Sequence, residues 1–139
     1  MIETDKFEKA LEHLERQYRN LSTLDKDLDP LLREAVRESV IQRFETCYDC
    51  LWKVLKRGLV ESLGLPDVPN SPKPVFRIAN ENNLLDTSVE HWLAYADARV
   101  DTSHDYSGEK ADGALGMMGE FIQDASILLK TLTTKLGNT

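Results

Sequence analysis

The stretch LGMMGEFIQDASILLKTLTTKLG, residues 115–137, repeats an apolar side chain at alternating steps of three and four residues. The repeat consists of Leu115, Met118, Ile122, Ala125, Leu129, Leu132 and Leu136. This spacing gathers the apolar side chains along one side of an α-helix, whereas a half-buried strand would alternate at every second residue. The stretch therefore predicts a long amphipathic helix that ends at Gly137.

The same spacing recurs through the rest of the chain. It predicts helices over residues 4–22, 30–63, 72–82, 87–103 and 108–137. Pro30 and Pro72 suit the first position of a helix, and Asp86 or Thr87 can cap the fourth helix. We therefore predict an all-α fold, an antiparallel up-and-down four-helix bundle with one additional short helix, formed by a single domain over residues 1–139.

The composition is acidic, with 24 Asp and Glu residues against 17 Lys and Arg residues and a formal net charge of -7. This charge opposes long-range attraction of nucleic acid, so any RNA binding must occur at a local basic cleft. The apolar runs are too short for a membrane span, and the N-terminus lacks the pattern of a secretory signal. We interpret Cys47 and Cys50 as core residues rather than redox or metal groups, and expect a cytoplasmic protein.

The segment RVDTSHDY spells R-x4-H-x-Y, with Arg99, His104 and Tyr106 at the named positions. A ribonuclease that works without a metal needs a cation for the phosphate and a group that exchanges protons near neutral pH. Arginine keeps its charge and can contact two phosphate oxygens, and imidazole can accept or donate the proton. The motif therefore suggests phosphodiester chemistry that requires no cofactor.

Arg99 and His104 are five positions apart, which on a straight helix leaves the two side chains about 140° apart around the axis. They cannot share one face of an intact helix. Either the helix ends before His104 and the chain folds back, or a second copy of the chain completes the site. A structural role is the alternative, in which His104 caps the helix, Arg99 pairs with Asp97 or Asp101, and Tyr106 packs as a core aromatic.

Three separated blocks carry a resemblance to a known family. They are IQRFE and LWKVLK at residues 41–45 and 51–56, SPKPVFR at residues 71–77, and TSHDY at residues 102–106. In this order they resemble the nucleotidyltransferase substrate-binding family, the HepT-like branch of the HEPN superfamily. The resemblance implies a helical-bundle homodimer that brings two R-x4-H motifs into one cleft. For members that are the toxin of a toxin-antitoxin pair, it also implies a metal-independent ribonuclease.

The resemblance also assigns roles to the motif residues. His104 would be the general base or acid, Arg99 would stabilise charge on the phosphate, and a 2′-hydroxyl of the RNA would be the nucleophile. The implied partner is a cognate minimal nucleotidyltransferase, the antitoxin, which in toxin members transfers AMP to the tyrosine of the motif, here Tyr106. AMP at that position would fill the cleft and place phosphate where the substrate phosphate must lie.

A departure at Val100 leaves a second function open. Family members commonly have a polar residue after the arginine, whereas Val100 removes a hydrogen-bonding side chain from the expected site. The alternative is a non-catalytic substrate- or nucleotide-binding subunit of a two-component nucleotidyltransferase. A third hypothesis is a bundle that serves only as an interaction module.

Further binding residues are suggested by residue type. Trp52 with Lys53 and Lys56 offers an aromatic ring beside cations, which suits a base and its phosphate, and Ser103 lies inside the motif. The alternative is that Trp52 fills a helix contact and the lysines are solvated. A metal held by Asp97, Asp101, Asp105 and His104 is a less favoured hypothesis than a solvated acidic face, so we predict no metal.

Overall fold

Five α-helices make up the computed structural model over the residues that it describes, 2–105 and 108–137. They are α1 (Asp5–Ser22), α2 (Pro30–Arg57), α3 (Pro72–Glu81), α4 (Val89–His104) and α5 (Gly108–Thr131). Short π-helical turns, Gly58–Ser62 and Leu132–Gly137, extend α2 and α5. No strand occurs within the described ranges. The predicted all-α bundle of four long helices and one short helix is confirmed.

A cluster of aromatic rings in the core joins α2, α3, α4 and α5. The rings of Phe44 and Phe121 meet edge to face with centroids 4.9 Å apart, and those of Phe76 and Trp92 stack at 5.2 Å. Such pairs add to the free energy gained by burying the rings. Tyr95 continues the cluster, with its centroid 5.1 Å from that of Phe121. The cluster fixes α4 against α2, and these two helices carry the candidate site.

The first turn of α2 shows why this helix begins where the sequence predicts. The Asp29 side chain accepts a hydrogen bond from the Leu31 backbone N–H at 2.9 Å, and Pro30 occupies the first helical position. The α-helical geometry ends at Arg57 rather than continuing to residue 63, because the chain widens into the π-helical turn. A β-carbon on Gly58 would lie 2.9 Å from the Cδ1 atoms of Ile2 and Leu136, so glycine permits this close approach.

The two ends of α4 differ from the prediction. Ser88, and not Asp86 or Thr87, is the N-cap, and its hydroxyl accepts a hydrogen bond from the Glu90 backbone N–H at 3.2 Å. At the other end the helix continues through His104. The prediction of a chain that folds back before His104 is therefore wrong, whereas completion of the site by another copy of the chain stays a prediction.

The buried side of α5 is broader than the heptad predicts. Phe121 and Leu128 are buried, although neither belongs to the predicted repeat. Leu115 and Leu129, which do belong to it, are only partly buried. A straight helix with 3.6 residues per turn drifts relative to a strict seven-residue repeat, so the buried stripe moves around α5 as it contacts α1, α2 and α4.

Candidate functional site

Arg99 projects from α4 towards α2, where two carboxylates hold its guanidinium. Its Nε and Nη2 donate to Oδ1 and Oδ2 of Asp49 at 3.2 and 3.1 Å, and Nη1 donates to Oε2 of Glu45 at 3.2 Å. Glu45 and Asp49 are four residues apart and therefore lie on the same side of α2. The bidentate contact with Asp49 fixes the plane of the guanidinium as well as its position.

Glu45 has a second partner on α4. Thr102, which is buried, donates its hydroxyl to Oε2 of Glu45 at 2.9 Å. A carboxylate as buried as Glu45 needs a cation and hydrogen bonds to offset its lost hydration. Arg99 and Thr102 provide both, and the arrangement links the last two turns of α4 to the middle of α2.

His104 is the last residue of α4, and its side chain is exposed. Because α4 is continuous through both residues, His104 points about 140° away from Arg99 around the helix axis. One protomer therefore does not bring this guanidinium and this imidazole onto the same face. Tyr106, the predicted site of modification, lies outside the described residues.

An open groove of about 820 Å³ lies beside Arg99, between α2, the start of α3 and α4. Tyr48, Asp49, Trp52, Ser71, Pro72, Lys73, Ala96, Asp97, Arg99, Val100, Asp101 and Ser103 line it. The Lys73 ammonium pairs with Oδ1 of Asp97 at 2.6 Å across the groove wall. Val100 is 57% exposed at the groove.

Two of the proposed binding residues share this groove with Arg99. Trp52 is mostly buried and presents its remaining surface there, and Ser103 lies at the groove on the same helix as Arg99. The Ser103 hydroxyl donates to the backbone carbonyl of Val100 at 2.6 Å, as is common for serine within a helix.

The other two proposed binding residues lie on a neighbouring surface. The Lys53 ammonium is 5.9 Å from the centroid of the Trp52 ring, within the range of a cation–π contact. Lys56 donates to Oδ1 of Asn70 at 3.3 Å. Both lysines line a separate depression with Arg57, so the structure does not bring them to the Arg99 groove.

The acidic residues of α4 have partners of their own. Asp97 pairs with Lys73, and a carboxylate oxygen of Asp101 is 3.8 Å from the Lys110 ammonium. Across residues 2–105 and 108–137, no group of three or more His, Cys, Asp or Glu side chains is placed to hold a metal ion. Cys47 is a buried thiol whose pKa is raised by its burial, as expected for a core residue.

The family of the chain follows from comparison with known proteins. A model of the family described as nucleotidyltransferase substrate binding protein like matches residues 3–134. The chain belongs to this family. A family relative, the probable ribonuclease HepT of Haemophilus influenzae, is 30% identical over 109 residues, which cover 76% of this chain and 74% of the relative.

Solved structures share the fold of this family member. HI0074 from Haemophilus influenzae, described as the substrate-binding domain of a nucleotidyltransferase, superimposes with a TM-score of 0.80 at 25% identity, covering 94% of this chain and 98% of that one. A protein from Thermus thermophilus gives a TM-score of 0.73 at 32% identity, covering 91% and 98%. In the part of the chain that the structure describes, no helix has the length and apolar character needed to cross a membrane.

Sequence reasoning found Arg99 but missed the two acids that hold it. Glu45 and Asp49 are separated from Arg99 by about fifty residues of chain, and spacing along the sequence does not reveal such a contact. One signal was present, because Glu45 directly follows the buried Phe44 and lies one turn from the buried Ile41. A carboxylate at such a position requires a partner.

Proposed function

We propose that this protein is a HepT-like toxin, a metal-independent ribonuclease of the cytoplasm that acts as a homodimer. The observation that carries the proposal is the geometry of the R-x4-H motif, in which Arg99 is held rigidly beside an open groove while His104 is exposed at the end of the same helix. The similarity to a probable ribonuclease HepT supports the same function.

The reaction needs only these two groups and the RNA itself. The His104 imidazole accepts the proton of a ribose 2′-hydroxyl, and the resulting oxygen attacks the adjacent phosphorus. The bond from phosphorus to the 5′-oxygen breaks, the leaving oxygen takes up a proton from water, and a 2′,3′-cyclic phosphate remains. Arg99 stabilises the negative charge that accumulates on the phosphate oxygens.

We infer the homodimer from the angle between the two groups. Because Arg99 and His104 diverge on one helix, a phosphate can contact both only if the imidazole comes from a second copy of the chain. Asp49 is the more exposed of the two acids that hold Arg99, with 38% of its side chain accessible against 11% for Glu45. We infer that the substrate phosphate displaces Asp49 while Glu45 keeps the guanidinium in place.

The regulatory partner would be a cognate minimal nucleotidyltransferase, the antitoxin. It would transfer AMP from ATP to the Tyr106 phenol with release of pyrophosphate. Tyr106 follows His104 by two residues, so the attached nucleotide would occupy space that RNA needs. Membership of a family named for nucleotidyltransferase substrate binding supports such a partner.

Expression of this chain without its partner tests the proposal. We expect growth arrest, relief of the arrest by His104→Ala, and no relief by the matched control His13→Ala, which changes an exposed histidine on α1. The purified dimer should cleave RNA in the presence of a metal chelator and leave cyclic phosphate ends. Normal growth together with intact RNA would contradict the proposal.

The alternative is a non-catalytic substrate- or nucleotide-binding subunit of a two-component nucleotidyltransferase. The exposed Val100 at the groove and the net charge of -7 favour it, because neither helps to bind and cleave RNA. The description of HI0074 as a substrate-binding domain favours it as well. In that case the chain would raise the activity of the nucleotidyltransferase and leave RNA uncut.

A further inference from the structure

The Tyr48 hydroxyl is a buried polar group that lacks a hydrogen-bond partner within the described part of the chain. Tyr48 is only 1% exposed, and its side chain forms part of the floor of the groove beside Arg99. A buried hydroxyl without a partner destabilises the fold, and most such groups in folded proteins are paired. Tyr95, another buried tyrosine of the core, donates to Asp124 at 2.5 Å. The Nε1 of Trp92 is likewise buried without a partner among the described residues, but Tyr48 lines the groove and Trp92 does not. A ligand in the groove is therefore placed to supply the missing partner of Tyr48.

A second hydroxyl lies at the same groove. Ser71 occupies the N-cap position of α3, but its side chain makes no capping hydrogen bond, in contrast to Ser88 at the start of α4. The groove is therefore lined by two residues with available hydroxyl groups. The Tyr48 hydroxyl has no hydrogen-bond partner in the part of the chain that the structure describes, and the Ser71 hydroxyl does not cap α3. Both can donate and accept hydrogen bonds.

The rest of the groove combines apolar and charged side chains. Trp52, Pro72, Ala96 and Val100 contribute carbon surface, and Arg99 stands at the side. A volume of about 820 Å³ lies within the usual range for small-molecule sites. Three carboxylates also line the groove, and each is paired with a cation: Asp49 with Arg99, Asp97 with Lys73 and Asp101 with Lys110. Apolar surface, hydroxyl groups and a cation at one groove match the chemistry of a nucleobase with its phosphate.

We propose that this groove is a nucleobase subsite, in which a base lies against Trp52 and Pro72 and forms a hydrogen bond with the Tyr48 hydroxyl while its phosphate contacts Arg99. The inference rests on the proposed function and extends it, because it names the part of the substrate that the groove recognises. The base can come from RNA or from a free mononucleotide, and the two sources are separable by experiment.

Calorimetric titration of the purified protein with AMP, UMP and ribose 5-phosphate tests the subsite. In Tyr48→Phe the affinity for the two nucleotides should fall by about three- to tenfold, the effect of one lost hydrogen bond. The affinity for ribose 5-phosphate, which has no base, should not change. Tyr18→Phe is the matched control, since it removes a hydroxyl from α1, outside the groove.

Thermal unfolding supplies a second readout. Because the Tyr48 hydroxyl has no partner within residues 2–105 and 108–137, Tyr48→Phe should unfold at the same or a higher temperature than the wild type. Weaker binding therefore cannot be attributed to misfolding. Unchanged nucleotide affinity in Tyr48→Phe, or an equal loss for ribose 5-phosphate, would overturn the subsite.

His104→Ala separates this inference from the ribonuclease proposal. The difference in affinity between a nucleotide and ribose 5-phosphate, which reports the base alone, should be the same in this variant as in the wild type, because His104 does not line the groove. Base-dependent binding by a wild-type protein that leaves RNA intact would refute the ribonuclease and retain the subsite. RNA cleavage at the same rate in wild type and Tyr48→Phe, together with no measurable nucleotide binding, would overturn the subsite and retain the ribonuclease. If the protein binds dinucleotides more tightly than ATP, the base comes from RNA. If it binds ATP more tightly, the base comes from a mononucleotide.

Discussion

Replacing Arg99 with Met leaves the carboxylates of Glu45 and Asp49 facing α4 without their cation. Removing one partner of a buried ion pair costs about 3–5 kcal/mol. Arg99 is 26% exposed and Asp49 is 38% exposed, so water screens part of the repulsion. We therefore expect Arg99→Met to lower the free energy of unfolding by about 2 kcal/mol, which corresponds to a decrease in Tm of about 6–8 °C for a chain of this size.

Neutralising Glu45 should recover part of this loss. Glu45→Gln keeps an oxygen that can accept the Thr102 hydrogen bond but removes the buried charge. Combined with Arg99→Met, it should restore about 1 kcal/mol, although Glu45→Gln alone should destabilise the wild type. Arg19→Met is the matched control, because the ion pair of Arg19 with Glu15 on α1 is exposed and should contribute less than about 0.5 kcal/mol.

Urea unfolding followed by far-UV circular dichroism measures these differences, at one protein concentration because a dimer gains stability by mass action. The ion-pair account would be refuted if the losses of unfolding free energy from Arg99→Met and Glu45→Gln simply add in the double variant. It would also be refuted if Arg99→Met and Arg19→Met were equally stable. The result also bears on function. Inactivity of Arg99→Ala alone could reflect unfolding, whereas a folded but inactive Arg99→Met/Glu45→Gln protein would show that the guanidinium serves the reaction.

The remaining predictions concern the supports of the bundle. Asp29→Ala removes the hydrogen bond to the Leu31 N–H and should cost about 1 kcal/mol in urea unfolding, whereas Ser71→Ala, at a cap without such a bond, should cost almost nothing. Tyr95→Phe should cost about 1.5–3 kcal/mol because its hydroxyl donates to the Asp124 carboxylate. Burial and the hydrogen bond to Asp124 raise the pKa of Tyr95, so the phenol ionises more readily when unfolded and stability should fall as pH rises above about 10. Tyr95→Phe should flatten that decline.

Local signals account for the parts of the fold that the sequence predicts well. The start of α2 follows from the Asp29 cap and Pro30, and the start of α3 from Pro72 at its first position, because a cap or a proline acts within one turn. The widening at Gly58 was not predictable, since it depends on the approach of Ile2 and Leu136 from the two ends of the chain. The register of α5 was missed for a similar reason, because three neighbouring helices decide which side chains are buried.

The candidate site shows the same division between local and distant contacts. Residue chemistry suggests Arg99 and His104 as reactive groups, which stays a prediction, and helix geometry accounts for their divergence on α4. Asp97 and Asp101 were the acids suggested as partners of Arg99, but residues two positions apart on a helix point in nearly opposite directions. They pair instead with Lys73 and Lys110. The partners on α2 required the packed structure.

The most direct test of the account mixes two inactive proteins, Arg99→Met/Glu45→Gln and His104→Ala, by joint refolding, with native mass spectrometry to confirm that subunits exchange. If each site takes Arg99 from one chain and His104 from the other, half of the dimers regain one intact site, and the mixture should cleave RNA at about a quarter of the wild-type rate. If exchanged dimers form and cleave nothing, the two groups do not act across the subunit interface, and the central claim is contradicted.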